Sequence, residues 1–90
     1  MTHNHSLTLI SKPGCHLCED AEAVITRVLT EFEGEQTSIR LDLKRLNILD
    51  DAALHARYAE EIPVLLIDDK VHNYWRIDPE RLLAALRALG

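Results

Sequence analysis

Apolar and polar positions along the first half of the chain predict a strand, a long helix and a second strand. The short β-prone run from Leu7 to Ser11 ends at Lys12-Pro13-Gly14, which indicates a strand followed by a turn. From Cys15 to Glu33 apolar residues recur every three or four positions, which predicts a helix that ends near Gly34. Its apolar positions are Leu17, Ala21, Val24, Val28 and Phe32. Thr37 to Leu43 alternates and predicts the second strand.

The second half of the chain predicts a short helix, a hairpin and a final helix. Asp50 or Asp51 is suited to begin a helix that runs through Tyr58. Val64 to Ile67 is continuously apolar, as in a buried strand, and Val71 to Trp75 pairs back with it across the Asp68-Asp69 turn. Asp78-Pro79 is a strong helix start. The apolar face of this last helix is formed by Leu82, Leu83, Leu86 and Leu89.

The predicted element order, β-α-β-α-β-β-α, defines an α/β fold with a four-stranded mixed sheet packed by helices. Strands one and two are joined through a helix and are therefore expected to be parallel, with a right-handed crossover. Strands three and four form a hairpin and are expected to be antiparallel. A length of 90 residues suits one domain that spans residues 1–90.

Composition narrows the possible partners and locations. The chain has 10 basic and 15 acidic residues, a net charge of -5 and no basic cluster, so nucleic acid and anionic membranes are poor partners. No apolar run approaches the roughly 20 residues of a membrane-spanning helix. The first five residues contain neither Lys nor Arg, which argues against a secretory signal peptide. We therefore expect a cytoplasmic protein, and a monomer.

The two cysteines, Cys15 and Cys18, are the clearest candidates for chemistry. At positions i and i+3 of a helix they lie on one side, close enough to form a disulfide bond. Such a small ring stabilises little of a fold, so the pair is expected to act chemically. At the helix start, unpaired N–H groups and the helix dipole favour a Cys15 thiolate. Lys12 and a protonated His16 would add to this effect.

This pair predicts a dithiol cycle. The Cys15 thiolate attacks a substrate disulfide to form a mixed disulfide, and Cys18 then attacks the Cys15 sulfur and releases the reduced substrate. Cys15 is the expected nucleophile because it lies at the helix end and is the more exposed of the two. Cys18 lies one turn further into the helix and is the expected resolving cysteine.

Two other interpretations of the CxxC pair remain open. In the first, the pair is one half of a zinc or iron–sulfur site, and the chain is a binding module without redox turnover. Two more ligands would then have to come from the histidines, none of which form an HxxxH pair: His3, His5, His16, His55 and His72. Alternatively, both cysteines are inert buried thiols. A c-type haem site is excluded because Glu19, not His, follows Cys18.

The chain resembles the thioredoxin superfamily, and its glutaredoxin-like branch in particular. The matching segments, in the same order along nearly the whole chain, are Leu7–Ser11, the Lys12–Cys18 segment, Glu60–Leu65 and the helix from Asp78. Small bacterial glutaredoxin-like proteins with a PGCHLC segment are the most similar. The resemblance implies a thioredoxin-like fold and a thiol–disulfide oxidoreductase that acts on protein or glutathione mixed disulfides.

The resemblance also implies further site residues. Pro63 is expected to be cis and to lie against the cysteines, which leaves the backbone of Ile62 to pair with an extended substrate. Trp75 and Arg76 are candidates for binding the substrate or glutathione, although a Trp at a strand end more often packs at the rim of a core. No resident cofactor or metal is expected. The electron donor is either glutathione or a thioredoxin-type reductase.

Two departures from the glutaredoxin pattern bear on these implications. His16-Leu17 stands between the cysteines, where dithiol glutaredoxins usually have Pro-Tyr and thioredoxins have Gly-Pro. Glutaredoxins also carry a Gly-Gly pair before the last helix, whose N–H groups bind a glutathione carboxylate. The corresponding stretch here, residues 73–79, has no glycine, and Pro79 lacks an N–H. Arg76 and Lys12 are then the remaining cations for such a carboxylate.

Overall fold

The fold is known from a computed structural model, which describes residues 3–35 and 39–89. The elements follow the predicted order, with a single 3-10 turn at Ile48–Asp50 before the second helix. They are β1 (His3–Ser11), α1 (His16–Glu35), β2 (Ile39–Asn47), α2 (Ala52–Tyr58), β3 (Val64–Ile67), β4 (Lys70–Tyr74) and α3 (Pro79–Arg87). None of the helices in these described ranges is long and apolar enough to cross a membrane.

The four strands form one mixed sheet in the order β2-β1-β3-β4. β1 pairs in parallel with β2 and antiparallel with β3, and β3 pairs antiparallel with β4. The predicted α/β fold and both strand directions are therefore confirmed. β1 is an internal strand of the sheet. Residues 12–15, which follow its carboxyl end, therefore lie near the middle of that end of the sheet and not beside an edge strand.

Several element boundaries differ from the prediction. α1 continues through Gly34 to Glu35, since an internal glycine costs only about 1 kcal/mol relative to alanine and the Glu35 side chain pairs with Arg87 of α3. β1 and β2 are both nine residues long because they pair without interruption from His3–Ile39 to Ser11–Asn47. Thr37, the predicted start of β2, lies outside the described residues.

Two apolar clusters form on opposite faces of the sheet. On one face α1 and α3 cover Leu7, Leu9 and Leu65, and this larger cluster contains Leu82 and Leu86 at 0% exposure. On the other face Ile10 and Val64 pack with α2 through Tyr58, and Cys18 belongs to this second cluster. Burying these side chains is the main stabilising contribution to the fold. The second cluster thus buries Cys18 and leaves Cys15 at its margin.

The two later helices begin as their sequences predict. The Asp51 side chain accepts hydrogen bonds from the N–H groups of Ala53 and Leu54, which fixes the start of α2. The Asp78 side chain does the same for α3, with Pro79 at the first helical position. α3 therefore starts a few residues after β4, directly beside the stretch that was proposed to bind substrate.

Candidate functional site

The two cysteines lie at the amino end of α1, as predicted. Cys15 directly precedes the helix and its carbonyl accepts the Glu19 N–H at 3.0 Å. The Cys18 N–H donates to Cys15 Sγ at 3.2 Å, so this sulfur occupies the position of a helix cap. Both thiols are free. Cys15 is half-buried, whereas Cys18 is only 6% exposed.

The environment of Cys18 keeps this thiol protonated. Burial raises the pKa of Cys18 to about 11, and a hydrogen bond and the charge of Cys15 act in the same direction. The backbone and the charge of Lys12 oppose this and lower the pKa of Cys18. The structure therefore brings Lys12 to the dithiol, and specifically to its buried member.

The His16 side chain lies in solvent rather than against Cys15. His16 is the first residue of α1, but its side chain is 97% exposed and its Nδ1 lies 3.7 Å from Glu19 Oε2. Among the described residues, no hydrogen bond or ion pair joins the imidazole to Cys15. A protonated His16 would also have its charge offset by the Glu19 carboxylate. The structure therefore does not support a specific contribution of His16 to the Cys15 thiolate.

The Ile62-Pro63 segment lies against the dithiol. The Ile62–Pro63 peptide bond is cis, as the resemblance implied, and both residues are buried. Ile62 belongs to the apolar cluster that contains Cys18, and Cys15 packs at the margin of the same cluster. Within the described ranges, no hydrogen bond is formed by the backbone of Ile62. Among the described residues, its N–H and C=O therefore have no partner, at the margin of the cluster that contains Cys18.

Trp75 joins the loop after β4 to the segment before β3. It was predicted to end the last strand, but it lies beyond Tyr74 with a positive φ of 58°, a conformation that is uncommon for any residue except glycine. Its N–H donates to the carbonyl of Pro63 at 2.8 Å and its Nε1 donates to the carbonyl of Glu60 at 3.0 Å. These two bonds hold the indole beside the Ile62-Pro63 segment.

Asn73 shapes the same loop from within. Its side-chain amide donates to the carbonyls of Tyr74 at 3.3 Å and Arg76 at 2.8 Å. Nothing in the sequence pattern distinguishes this Asn from an ordinary polar strand residue, so sequence reasoning missed it. The only signal was the preference of Asn for bonding nearby backbone groups in turns.

A pocket of about 170 Å³ lies between α1 and this loop, and we call it the Trp75 pocket. It is lined by Leu17, Asp20, Ala21, Val24, Trp75, Arg76 and Ile77. The structure thus brings Trp75 and Arg76 together beside the residues that follow the dithiol.

The sequence assigned Leu17 and Val24 to the core face of α1, but Leu17 is 36% exposed. The residues of α1 that are buried are Cys18, Ala21, Ile25, Val28 and Phe32.

The first turn of α3 offers no free backbone donor to a ligand. Asp78 Oδ1 accepts from the N–H groups of Glu80 at 3.0 Å and Arg81 at 3.3 Å, and Pro79 has none. The Leu82 N–H donates to the carbonyl of Asp78 at 2.9 Å. The helix end therefore lacks the usual means of binding a carboxylate.

The described residues give no support to a metal site. Residues 3–35 and 39–89 contain no group of three or more His, Cys, Asp or Glu side chains that is arranged to hold a metal ion. His5, one of the ligand candidates, instead bonds through Nδ1 to Asp68 at 2.5 Å. The sequence-based alternative of a metal-binding or cluster-binding module thus gains no supporting observation here.

The mixed sheet, the CxxC pair at the start of α1 and the cis proline before β3 define a thioredoxin-fold protein of the redox type. The chain belongs to the family described as Glutaredoxin-like domain (DUF836), whose model matches residues 6–87.

Individual relatives agree with this membership. The X-ray structure of the structural-genomics target protein XcR50 from X. campestris is 30% identical, with a TM-score of 0.69 over 91% of this chain and 96% of that one. The solution structure of protein Ne2328 from Nitrosomonas europaea is 24% identical, with a TM-score of 0.66 over 94% of each chain. The uncharacterized protein Rv0508 of Mycobacterium tuberculosis is 26% identical over 84% of this chain and 76% of its own length.

Proposed function

We propose that the protein is a thiol–disulfide oxidoreductase in which Cys15 is the nucleophile and Cys18 the resolving cysteine. One observation carries the proposal: the half-buried Cys15 sulfur accepts the Cys18 N–H at 3.2 Å, while the Cys18 thiol is buried. The Cys15 sulfur lies at the helix end and is the more exposed of the two, whereas burial keeps the proton on Cys18. The two sulfurs are thereby prepared for different steps of one cycle.

The first step is attack on the substrate. The Cys15 thiolate displaces one sulfur of a substrate disulfide, so that a Cys15–substrate S–S bond forms as the substrate S–S bond breaks. The departing thiolate takes a proton from solvent. The free backbone of Ile62 pairs with the extended substrate chain and holds its disulfide beside Cys15, with Pro63 packed behind it.

The second step is resolution. Cys18 loses its proton and attacks Cys15 Sγ, which forms the Cys15–Cys18 disulfide and releases the second substrate sulfur as a thiol. The substrate gains two electrons and the protein loses two. Lys12 assists this step, because its charge and backbone favour the Cys18 thiolate. A dithiol reductase or two molecules of a thiol such as glutathione then return two electrons to the protein.

A single-turnover experiment tests this cycle without any choice of electron donor. Reduced protein is mixed with an excess of a symmetrical peptide disulfide and its mass is followed. Wild type should lose two hydrogens as its internal disulfide forms, and Cys18→Ser should stop at the peptide adduct. Cys15→Ser should form neither product at a comparable rate. A Cys15→Ser variant that reacts as fast as wild type would contradict the proposal.

The electron donor is a separate part of the proposal. The residues around α3 argue against a specific glutathione carboxylate site, so we favour a protein reductase of the thioredoxin-reductase class. Recycling of the oxidised protein with each donor in turn measures this preference. Faster recycling by glutathione than by the reductase would reverse it.

A cytoplasmic site of action, as expected from the sequence, stays a prediction.

A further inference from the structure

The Trp75 pocket has the chemistry of a side-chain binding site. Most of its wall is apolar, from Leu17, Ala21, Val24 and Ile77 together with the indole of Trp75. Its volume of about 170 Å³ is comparable to the roughly 150 Å³ of an apolar protein cavity that accommodates benzene. A leucine, methionine or phenylalanine side chain therefore matches it in size and polarity.

The pocket and the dithiol share the first turns of α1, since Leu17, which lines the pocket, stands between the two cysteines in the sequence. On the other side, Trp75 is tied through its N–H to Pro63, next to the residue that is free to pair with a substrate backbone. A chain that lies along Ile62 with its sulfur at Cys15 would therefore lie close to Trp75, one of the residues that line the pocket.

We propose that the Trp75 pocket binds an apolar side chain next to the cysteine of a polypeptide disulfide, and that such polypeptides are the preferred substrates. This inference rests on the proposed function and specifies its substrate class. Glutathione has no such side chain, since the γ-glutamyl residue before its cysteine ends in an ammonium and a carboxylate group and the glycine after it has no side chain.

The backbone N–H groups at this end of the molecule are already bonded, so the remaining polar groups fit a polypeptide better than a small carboxylate ligand. The Trp75 N–H already bonds to Pro63, and the first turn of α3 is occupied by its own cap. Two charged side chains remain on the pocket wall, Asp20 and Arg76, and neither forms an ion pair within the described part of the chain. A peptide group offers an N–H to Asp20 and a carbonyl to Arg76 with no net charge.

The pocket is held in shape before a substrate binds. The Nε1 bond of Trp75 to Glu60 fixes the indole, and the Asn73 amide bonds to the carbonyls on either side of it. Less conformational freedom is therefore lost on binding, which increases the discrimination that a small pocket achieves. Apolar pockets of this kind distinguish side chains by about 10- to 200-fold.

Two peptide disulfides that differ in one residue test the inference. Each is a symmetrical disulfide of a short uncharged peptide, with either Phe or Ser beside its cysteine, and glutathione disulfide is the third substrate. The rate of single turnover by the reduced protein is divided by the rate with free dithiothreitol, which removes differences in intrinsic reactivity. We expect the Phe peptide to react at least about tenfold faster than the Ser peptide or glutathione disulfide.

Variants locate the preference. Leu17→Ala and Val24→Asp should each lower the Phe-to-Ser rate ratio several-fold, and the ratio cancels any change in the reactivity of Cys15 itself. Leu49→Ala is the matched control, because Leu49 is 64% exposed and lies outside the pocket; its ratio should equal that of wild type. Circular dichroism confirms folding, and Leu17→Ala suffices if Val24→Asp does not fold.

The outcomes separate this inference from the proposed function. Equal rates for the two peptides, with adducts formed, would overturn the pocket assignment and leave the dithiol cycle intact. Glutathione disulfide that reacts as fast as the Phe peptide would overturn the substrate preference. No reaction with any of the three substrates would remove the proposed function itself.

Discussion

At the scale of single residues, the two thiols differ because one lies at a helix end and the other one turn inside. The Cys18 N–H reaches the Cys15 sulfur, whereas the Cys18 sulfur is surrounded by apolar side chains that disfavour its charge. Burial raises the pKa of Cys18 to about 11, and Lys12 acts against this rise. The resolving step should therefore depend on pH.

The rate of resolution should rise with pH. In the mixed disulfide Cys15 carries no charge, so its part in raising the pKa of Cys18 disappears, while burial still favours the thiol. Only the thiolate attacks. As long as the pH lies below the pKa of Cys18, each rise of one pH unit increases the thiolate population about tenfold. The decay of the peptide adduct, quenched with acid and followed by mass spectrometry, measures this step. A rate that does not change with pH would contradict the assignment of Cys18.

Lys12→Gln should slow the same step. The substitution removes the charge that lowers the pKa of Cys18 but leaves the backbone contact in place. Its effect should be fully present at neutral pH, where the thiolate is scarce, and should vanish only when the pH exceeds the pKa of Cys18 in both proteins. Lys44→Gln, on the exposed side of β2, is the matched control and should decay like wild type. Equal rates for the two variants would exclude a role for Lys12.

At the scale of elements, the starts of α2 and α3 and the end of α2 at Tyr58 were predictable, whereas the end of α1 was not. Asp78-Pro79 combines a capping side chain with a residue that needs no N–H partner, and both act as predicted. Gly34 was predicted to end α1, but packing and the Glu35–Arg87 pair extend the helix past it. A glycine is compatible both with the end of a helix and with its interior, and the packing around it decides which one is adopted.

Replacing the cap of α3 should destabilise the protein measurably. Asp78→Ala removes the acceptor for two N–H groups at the start of a helix that buries Leu82 and Leu86, and such losses cost about 0.5–2 kcal/mol. Urea denaturation gives the free energy of unfolding. Asp50→Ala is the control, since Asp50 is exposed and caps neither α2 nor α3, and its effect should be near zero. Equal losses would show that the cap contributes nothing.

At the scale of the whole molecule, the candidate site is assembled from three distant segments. The dithiol, the Ile62-Pro63 pair and Trp75 meet at one end of the sheet. The sequence identified each segment, because the CxxC pair and the Ile-Pro-Val run together match the glutaredoxin-like pattern and Trp75 ends the predicted hairpin. It did not predict the Trp75 pocket, since that depends on a positive φ at Trp75 and on how Asn73 folds the loop. Neither feature has a pattern in the sequence.

The larger cluster between the sheet, α1 and α3 should dominate stability. Leu86 is fully buried there, so Leu86→Ala leaves a cavity and should cost about 2–5 kcal/mol. Leu49→Ala, the same change at an exposed position, should stay within about 0.5 kcal/mol of wild type. Thermal or urea unfolding of the two variants checks the difference. A Leu86→Ala loss as small as that of Leu49→Ala would place the main stabilising core elsewhere.

The position of β2 at the sheet edge has a consequence for the behaviour of the protein at high concentration. A nine-residue edge strand is a template onto which another chain can add by backbone pairing, the first step of fibril growth. The side chains of Arg40, Asp42, Lys44 and Arg45 are exposed along this strand. A strand that docked there would have to dehydrate these charges, so the alternation that shaped β2 also protects the molecule against aggregation.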